Sequence, residues 1–289
     1  MLGYLDIDPQ WILDYRTDSL TMFFKLFPKV FNEYLYLSII ALGYWVNHRK
    51  IIFPALGFLM PFSLFINGLL KNLFQIDRPD HDLHLIPIND PFGFPSGDTQ
   101  IATVFWLVLF LHLSTSKWRY LFLLPLMGIG ASRVYLGVHS ILDVTVGFFV
   151  GTFIVLVFYQ KIIGMLGVSQ DKPIYKEFFL LVGGVALYVF ISQDLEWPPI
   201  AMISIGLMMG FIFSLPWIRK TLQKSDQISY AKHMLYFHLP LGLVLLIGII
   251  KFTPVITADQ VYFYLTTVLK YTIISLSIFV FIPGLKKRA

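Results

Sequence analysis

Cysteine is absent from the 289 residues, which excludes a disulfide framework, a thiol nucleophile and a cysteine-ligated metal site. Charge is scarce as well. Asp, Glu, Lys and Arg make up 13% of the chain, about half the ordinary share for a soluble domain. Apolar residues fill the gap, with 57% hydrophobic residues and a mean hydropathy of +0.72. This is the composition of an integral membrane protein. The net charge of +5 therefore does not point to nucleic acid; it has to be divided between the two sides of a bilayer. The N-terminus lacks the basic segment and clean apolar run of a cleavable signal peptide. No internal repeat stands out, and no polar stretch is long enough for an inserted soluble domain.

What is present is a succession of apolar runs. Before them, residues 1–33 are mixed. Asp14, Asp18, Lys25 and Lys29 share one helical stripe, and Trp11, Leu13, Leu20, Phe23, Phe24 and Phe27 lie mostly off it. The pattern predicts an amphipathic helix lying in the membrane interface and broken near Pro28. Runs at 31–47, 51–70, 99–114, 120–137, 141–160, 177–192, 199–217, 234–250 and 262–283 each approach the roughly 20 residues that cross a bilayer. The expected fold is all-α: a polytopic membrane helical bundle of about nine transmembrane helices plus the interfacial helix. The expected division is an N-terminal segment over 1–30, a core over 31–160 and additional C-terminal transmembrane helices over 161–289.

Lys and Arg set the expected orientation. One set of loops carries Arg49, Lys50, Lys117, Arg119, Lys161, Lys172, Lys176, Arg219, Lys220, Lys224, Lys232 and the terminal 286–288 cluster. The opposite set carries Asp80, Asp82, Asp90, Asp194 and Glu196. The positive-inside rule puts the N-terminus outside and the C-terminus in the cytoplasm. Three polar clusters then fall on one extracytoplasmic surface.

The central cluster is Phe92-Gly93-Phe94-Pro95-Ser96-Gly97-Asp98. A Pro-Ser-Gly turn that opens a helix offers backbone N–H groups at the positive end of the helix dipole, a seat for phosphate. Lys71 and Arg78 come from the upstream cluster and Arg133 from the downstream one. Three cations at a membrane surface suit an anion; each alone also suits snorkelling to lipid headgroups. His139 and Asp143 are spaced i, i+4 on one helix face. That pair reads either as an imidazole oriented for attack by a carboxylate or as a structural pair at a helix start. Asn67, one turn before Lys71, either lines the site or hydrogen-bonds between helices.

The patterns Lys71-x6-Arg78-Pro79, Pro95-Ser96-Gly97-x and Ser132-Arg133-x5-His139-x3-Asp143, in this order, resemble the signature of the type 2 phosphatidic acid phosphatase superfamily. The likeness covers roughly residues 67–143 and the neighbouring spans. It implies a helical bundle that hydrolyses phosphate esters through a phosphohistidine, with no metal and no cofactor. By position it makes His139 the nucleophile and Asp143 its orienting carboxylate. Lys71, Arg78 and Arg133 bind the phosphoryl oxygens, with Ser96 and Gly97 adding donors. The family has His after Pro-Ser-Gly, as the acid for the leaving group; this chain has Asp98. An Asp starts near 3.9 and needs a shift of about three units, roughly 4 kcal/mol, to act as an acid near neutrality. His81 and His84 are the alternative acids.

The expected partner is a phosphorylated lipid in the bilayer, at the outer face of a plasma (inner) membrane. Because a diphosphate expels a phosphate group that needs little protonation, a lipid diphosphate fits Asp98 better than an alkyl phosphate. A phosphotransferase using the same site, and a lipid-phosphate binding or transport protein without turnover, are the alternatives. The absence of cysteine makes the orientation directly testable. In single-cysteine variants, an impermeant thiol reagent applied outside labels His84→Cys and leaves Lys172→Cys unlabelled; labelling of Lys172→Cys overturns the orientation.

Overall fold

A computed structural model describes residues 9–46, 50–88, 90–112, 116–167, 173–191, 199–223 and 260–281. The expected span at 234–250, the cations Arg49, Lys172, Lys224, Lys232 and 286–288, and the acids Asp194 and Glu196 lie outside the described residues. In lipid a backbone must satisfy its own polar groups, so apolar runs become helices. Among the described residues there are nine α-helices and no strand; the one β-bridge joins Asp77 to Phe92.

The helices are α1 (Asp18–Val30), α2 (Glu33–Val46), α3 (Ile52–Phe74), α4 (Gly97–His112), α5 (Leu123–Tyr135), α6 (Ile141–Leu166), α7 (Tyr175–Ile191), α8 (Pro199–Gln223) and α9 (Gln260–Leu276). Among the described residues, four segments are long and apolar enough to cross a membrane: Ile52–Phe74, Ile141–Leu166, Ile200–Gln223 and Phe263–Val280. At about 1.5 Å per residue, the first three exceed the roughly 30 Å of a hydrocarbon core. The apolar run expected at 120–137 divides into a 3-10 helix, Lys117–Phe122, and α5.

The chain forms two compact units. The first contains residues 1–35 and 66–157. In it, a 3-10 helix (Pro9–Tyr15) leads to Thr17, whose hydroxyl caps α1 by accepting the Leu20 N–H. The amphipathic reading of α1 holds, and the helix continues through Pro28 to end at Val30. One apolar edge packs on protein: Phe24 stacks on Tyr135 with ring centroids 4.4 Å apart, and Phe27 covers Gly128 of α5. Met22, Phe23 and Leu26 remain exposed.

Helices α4 and α6 come into main-chain contact. A Cβ at Gly147 would lie 2.6 Å from the Ser96 carbonyl, and one at Gly151 would lie 2.7 Å from the Gln100 carbonyl. This Gly-x3-Gly spacing puts two Cβ-free positions on one face and lets the helices close to a distance that larger residues forbid.

The second unit contains residues 36–65 and 158–289. Its core is aromatic, with Phe279 against Tyr44 and Phe211, and Phe58 against Phe211. Trp45 is buried and donates from Nε1 to the Ile278 carbonyl at 2.9 Å. Gly206 and Gly210 of α8 admit the backbone of α9 as Gly147 and Gly151 admit α4. Arg219, fully buried, pairs with Glu177 at 3.0 Å and donates to the Met165 carbonyl at 3.1 Å.

The α4–α6 contact sets a measurable expectation. Gly147→Ala and Gly151→Ala each meet a carbonyl oxygen that cannot rotate away. Each should destabilise the protein by at least the roughly 1–3 kcal/mol of core overpacking. Gly164→Ala, on α6 but with nothing within 4 Å of its Cβ, is the control. Thermal unfolding in detergent should separate the first two from the third; equal melting temperatures in all three variants would contradict the close approach.

Candidate active site

Every candidate residue named from the sequence lies in the first unit. Helix α3 ends at Phe74, and Gln75 follows in a left-handed conformation with φ of 47°. This turn swings the chain into a loop that carries Arg78. The loop is held by the Asp77–Phe92 bridge and by the Gly93 N–H, which donates to the Ile76 carbonyl at 2.9 Å. Lys71, in the last turn of α3, and Arg78 are thereby brought to one place.

The second wall is the start of α6. Ser140 and Asp143 form a reciprocal cap: Ser140 N–H donates to Asp143 Oδ2 at 2.8 Å, and Asp143 N–H to Ser140 Oγ at 3.1 Å. This arrangement satisfies helix-terminal donors and fixes the carboxylate. His139, immediately before the helix, is buried, with Nδ1 3.3 Å from the same Asp143 oxygen. Ser96 N–H donates to the Asp143 carbonyl at 3.0 Å. The Pro-Ser-Gly turn and the histidine are thus tied through one residue.

The imidazole has a definite arrangement. With Nδ1–H directed to Asp143, Nε2 keeps its lone pair, and Arg78 Nη1 lies 3.1 Å from it as a donor. Arg78 Nη1 also donates to the Val138 carbonyl at 2.9 Å, and Nε to the Asp90 carbonyl at 2.7 Å. Burial, reinforced by Arg78 and Lys71 against the pull of Asp143, lowers the His139 pKa to about 4. The ring is therefore neutral at physiological pH, as a nucleophile must be. Burial also lowers the Arg78 pKa from its ordinary value, an effect opposed by Asp90 and Asp98.

Each cation has a carboxylate in contact. Lys71 Nζ bonds Asp90 Oδ2 and donates to the Phe92 carbonyl at 2.6 Å. Arg78 Nη2 lies 3.5 Å from the same Asp90 oxygen. Arg133 Nη2 pairs with Asp98 Oδ2 at 2.9 Å. Asp98 sits in the first turn of α4, just ahead of its apolar run, with a side chain 49% exposed. Desolvation acts to raise its pKa, but Arg133, then His139, Lys71 and Arg78, outweigh it, and the carboxyl is held below its ordinary value. That is the opposite direction from the one a leaving-group acid requires.

Other residues take less direct places. Ser96 is buried, with its Oγ 3.0 Å from Thr99 Oγ1. Gly97 starts α4, and a Cβ there would lie 2.9 Å from Asn67 Oδ1. Asn67 donates to the Pro95 carbonyl and to Gln100 Oε1, at 3.1 and 3.0 Å, so it braces the turn as an inter-segment hydrogen bonder. His84 Nε2 lies 3.1 Å from the Pro79 carbonyl, and the His81 and His84 rings are 5.2 Å apart.

Three residues that the sequence reading passed over contribute to the arrangement. Asp90 was counted there only as a loop charge. Ser140 was overlooked, although Ser140-x2-Asp143 is a recognisable helix-start pattern. Arg16 donates from Nη2 to the carbonyls of Leu83 at 2.6 Å and Tyr135 at 3.2 Å, joining the loop after Arg78 to the end of α5. No sequence signal marked it.

The chain was also compared with known proteins. The PAP2 superfamily matches residues 54–163. Sphingosine-1-phosphate phosphatase 1 of Mus musculus is 26% identical over 141 residues, which are 45% of this chain. The match spans about a third of that relative's length, 32%. No solved structure matches the chain significantly.

The histidine geometry can be checked without turnover. In ¹⁵N-histidine NMR of the micellar protein, with His139→Asn for assignment, the His139 ring should remain neutral and protonated on Nδ1 at about pH 6. An ordinary histidine is mostly charged at that pH. A doubly protonated His139 there would contradict the geometry.

Proposed function

We propose, from a chain whose residues 54–163 match the PAP2 superfamily, an integral membrane phosphatase that acts on the phosphate headgroup of a lipid. The observation that carries this reading is the neutral His139, oriented by Asp143, with its Nε2 beside Arg78 in the group that includes Lys71. A metal-independent reaction follows from side chains alone. His139 Nε2 attacks phosphorus, the bond to the leaving group breaks, and a phosphohistidine forms. Water then attacks that phosphorus, inorganic phosphate departs, and the histidine is regenerated. Lys71, Arg78 and Arg133 stabilise the charge on the phosphoryl oxygens, where fixed donors contribute most in the transition state. Asp143 holds the ring and stabilises its positive charge.

Asp98 bears on the substrate. Paired with Arg133 and shifted towards ionisation, it is poorly suited to protonating an alkoxide. A lipid diphosphate, whose leaving group is itself a phosphate, suits this site better than an alkyl monophosphate. The name of the matched relative, a sphingosine-1-phosphate phosphatase, favours a phosphorylated lipid as the substrate class without deciding between the two. The proposed setting is the extracytoplasmic leaflet of the plasma (inner) membrane, with the N-terminus outside.

Phosphate release by purified protein from lipid mono- and diphosphates tests the assignment. Activity should persist in chelator, and His139→Ala should abolish it while substrate binding remains. Substantial turnover in His139→Ala would exclude the phosphohistidine. Asp98→His introduces a group with a pKa near 6.5, and general acid catalysis is typically worth about 10²–10⁴-fold. The variant should raise alkyl phosphate turnover relative to diphosphate turnover; equal changes in both would exclude the leaving-group argument.

A further inference from the structure

Asp90 lies outside the three sequence motifs, yet it touches two of the three cations assigned to phosphate. Its Oδ2 contacts Lys71 Nζ and lies 3.5 Å from Arg78 Nη2. Its Oδ1 accepts the Phe92 N–H at 3.2 Å, and its carbonyl accepts Arg78 Nε–H at 2.7 Å. The side chain is 36% exposed, so it can turn towards water without unfolding the loop. The carbonyl bond does not involve the carboxylate, so Arg78 stays anchored when the carboxylate leaves.

We propose that Asp90 sets the site's threshold for occupancy: it is a tethered carboxylate that competes with incoming anions for Lys71 and Arg78 and fixes the affinity an anion needs to enter. The inference rests on the phosphate-site reading above. A site facing a membrane is surrounded by phosphodiester headgroups, each carrying a single negative phosphate charge. Three bare cations would hold such headgroups continuously. A tethered competitor acts at a high effective concentration, of millimolar order for short flexible links. A monoanionic phosphodiester that displaces Asp90 exchanges one carboxylate contact for one of equal charge and gains little. A dianionic monoester or a diphosphate brings additional charge and gains much more. The competitor lowers the affinity of every anion by one common factor. Abundant weak ligands then fall below occupancy while strong ones remain; the ratio of affinities is unchanged, and the selection comes from the raised threshold for occupancy. Asp98 on Arg133 gives the third cation a similar partner, and Asp143 adds a further negative charge behind His139.

The test is binding, read by thermal unfolding of the full chain in neutral detergent, with inorganic phosphate and dimethyl phosphate as probes above neutral pH. Wild type, Asp90→Asn and Asp90→Ser are compared, with Asp82→Asn as the control for net charge, since Asp82 is an exposed acid of the same loop. Unliganded melting temperatures report whether each variant folds. Removing the Asp90 charge should tighten both probes by a similar factor, about tenfold for one charge-assisted contact, and Asp82→Asn should not. Adding phosphatidylglycerol to the micelles should weaken phosphate binding by the Asp90 variants and leave wild type within about twofold. Unchanged or weaker phosphate binding in the Asp90 variants overturns the inference and leaves the phosphate site standing. Strong competition by phosphatidylglycerol in wild type overturns it even if neither variant folds. Failure of wild type and all variants to bind phosphate overturns the inference and the phosphate-site reading together.

Discussion

The candidate site depends on a single residue, Asp143. Its carboxylate accepts the Ser140 N–H and faces the His139 ring, and its carbonyl accepts the Ser96 N–H. A Cβ on Gly93 would lie 3.1 Å from that carboxylate. Two stretches of chain, 92–98 and 139–143, therefore meet at one buried group. A buried carboxylate is costly unless its oxygens are satisfied, and here its partners are the groups whose positions the site needs. Stability and orientation rest on the same contacts, so loosening one loosens the other.

The cations around this junction obey a related constraint. Lys71 is buried and the Arg78 and Arg133 side chains are nearly so. A charge removed from water needs a compensating partner, and Asp90 and Asp98 supply it. The result is a set of charges that is neither free nor permanently neutralised. Under the proposed function, a phosphate group entering it would exchange partners with carboxylates and would not meet bare cations, which moderates the electrostatic gain of binding.

Much of this was legible in the sequence because it depends on local spacing. The i, i+4 separation of His139 and Asp143 predicts their contact directly, and the apolar runs account for the helical class. Counting charges between runs predicts one surface for the clusters of Lys71, Arg78, Arg133 and His139, and the structure groups these side chains. The choice between roles for Asn67 needed the positions of Pro95 and Gln100. Asp90 was not legible, because its meaning lies in a pairing with a helix end 19 positions away in the sequence. Arg16 bonds main-chain carbonyls 67 and 119 residues away, and a carbonyl has no identity in a sequence. The helix boundaries also moved: a 3-10 segment interrupts one apolar run, since the first turns there take tighter bonds.

The contact of Gly147 and Gly151 with the carbonyls of α4 has a mechanical consequence. The distance between the Pro-Ser-Gly turn ahead of α4 and the histidine ahead of α6 is set by main chain against main chain, with no side-chain rotamer between them to act as a spring. Bilayers differ in thickness, and helices answer by tilting. Two helices in backbone contact tilt as one lever, which turns the site as a whole without changing the separation of its parts. A membrane of altered thickness would then re-aim this site relative to the headgroup plane while preserving its internal dimensions.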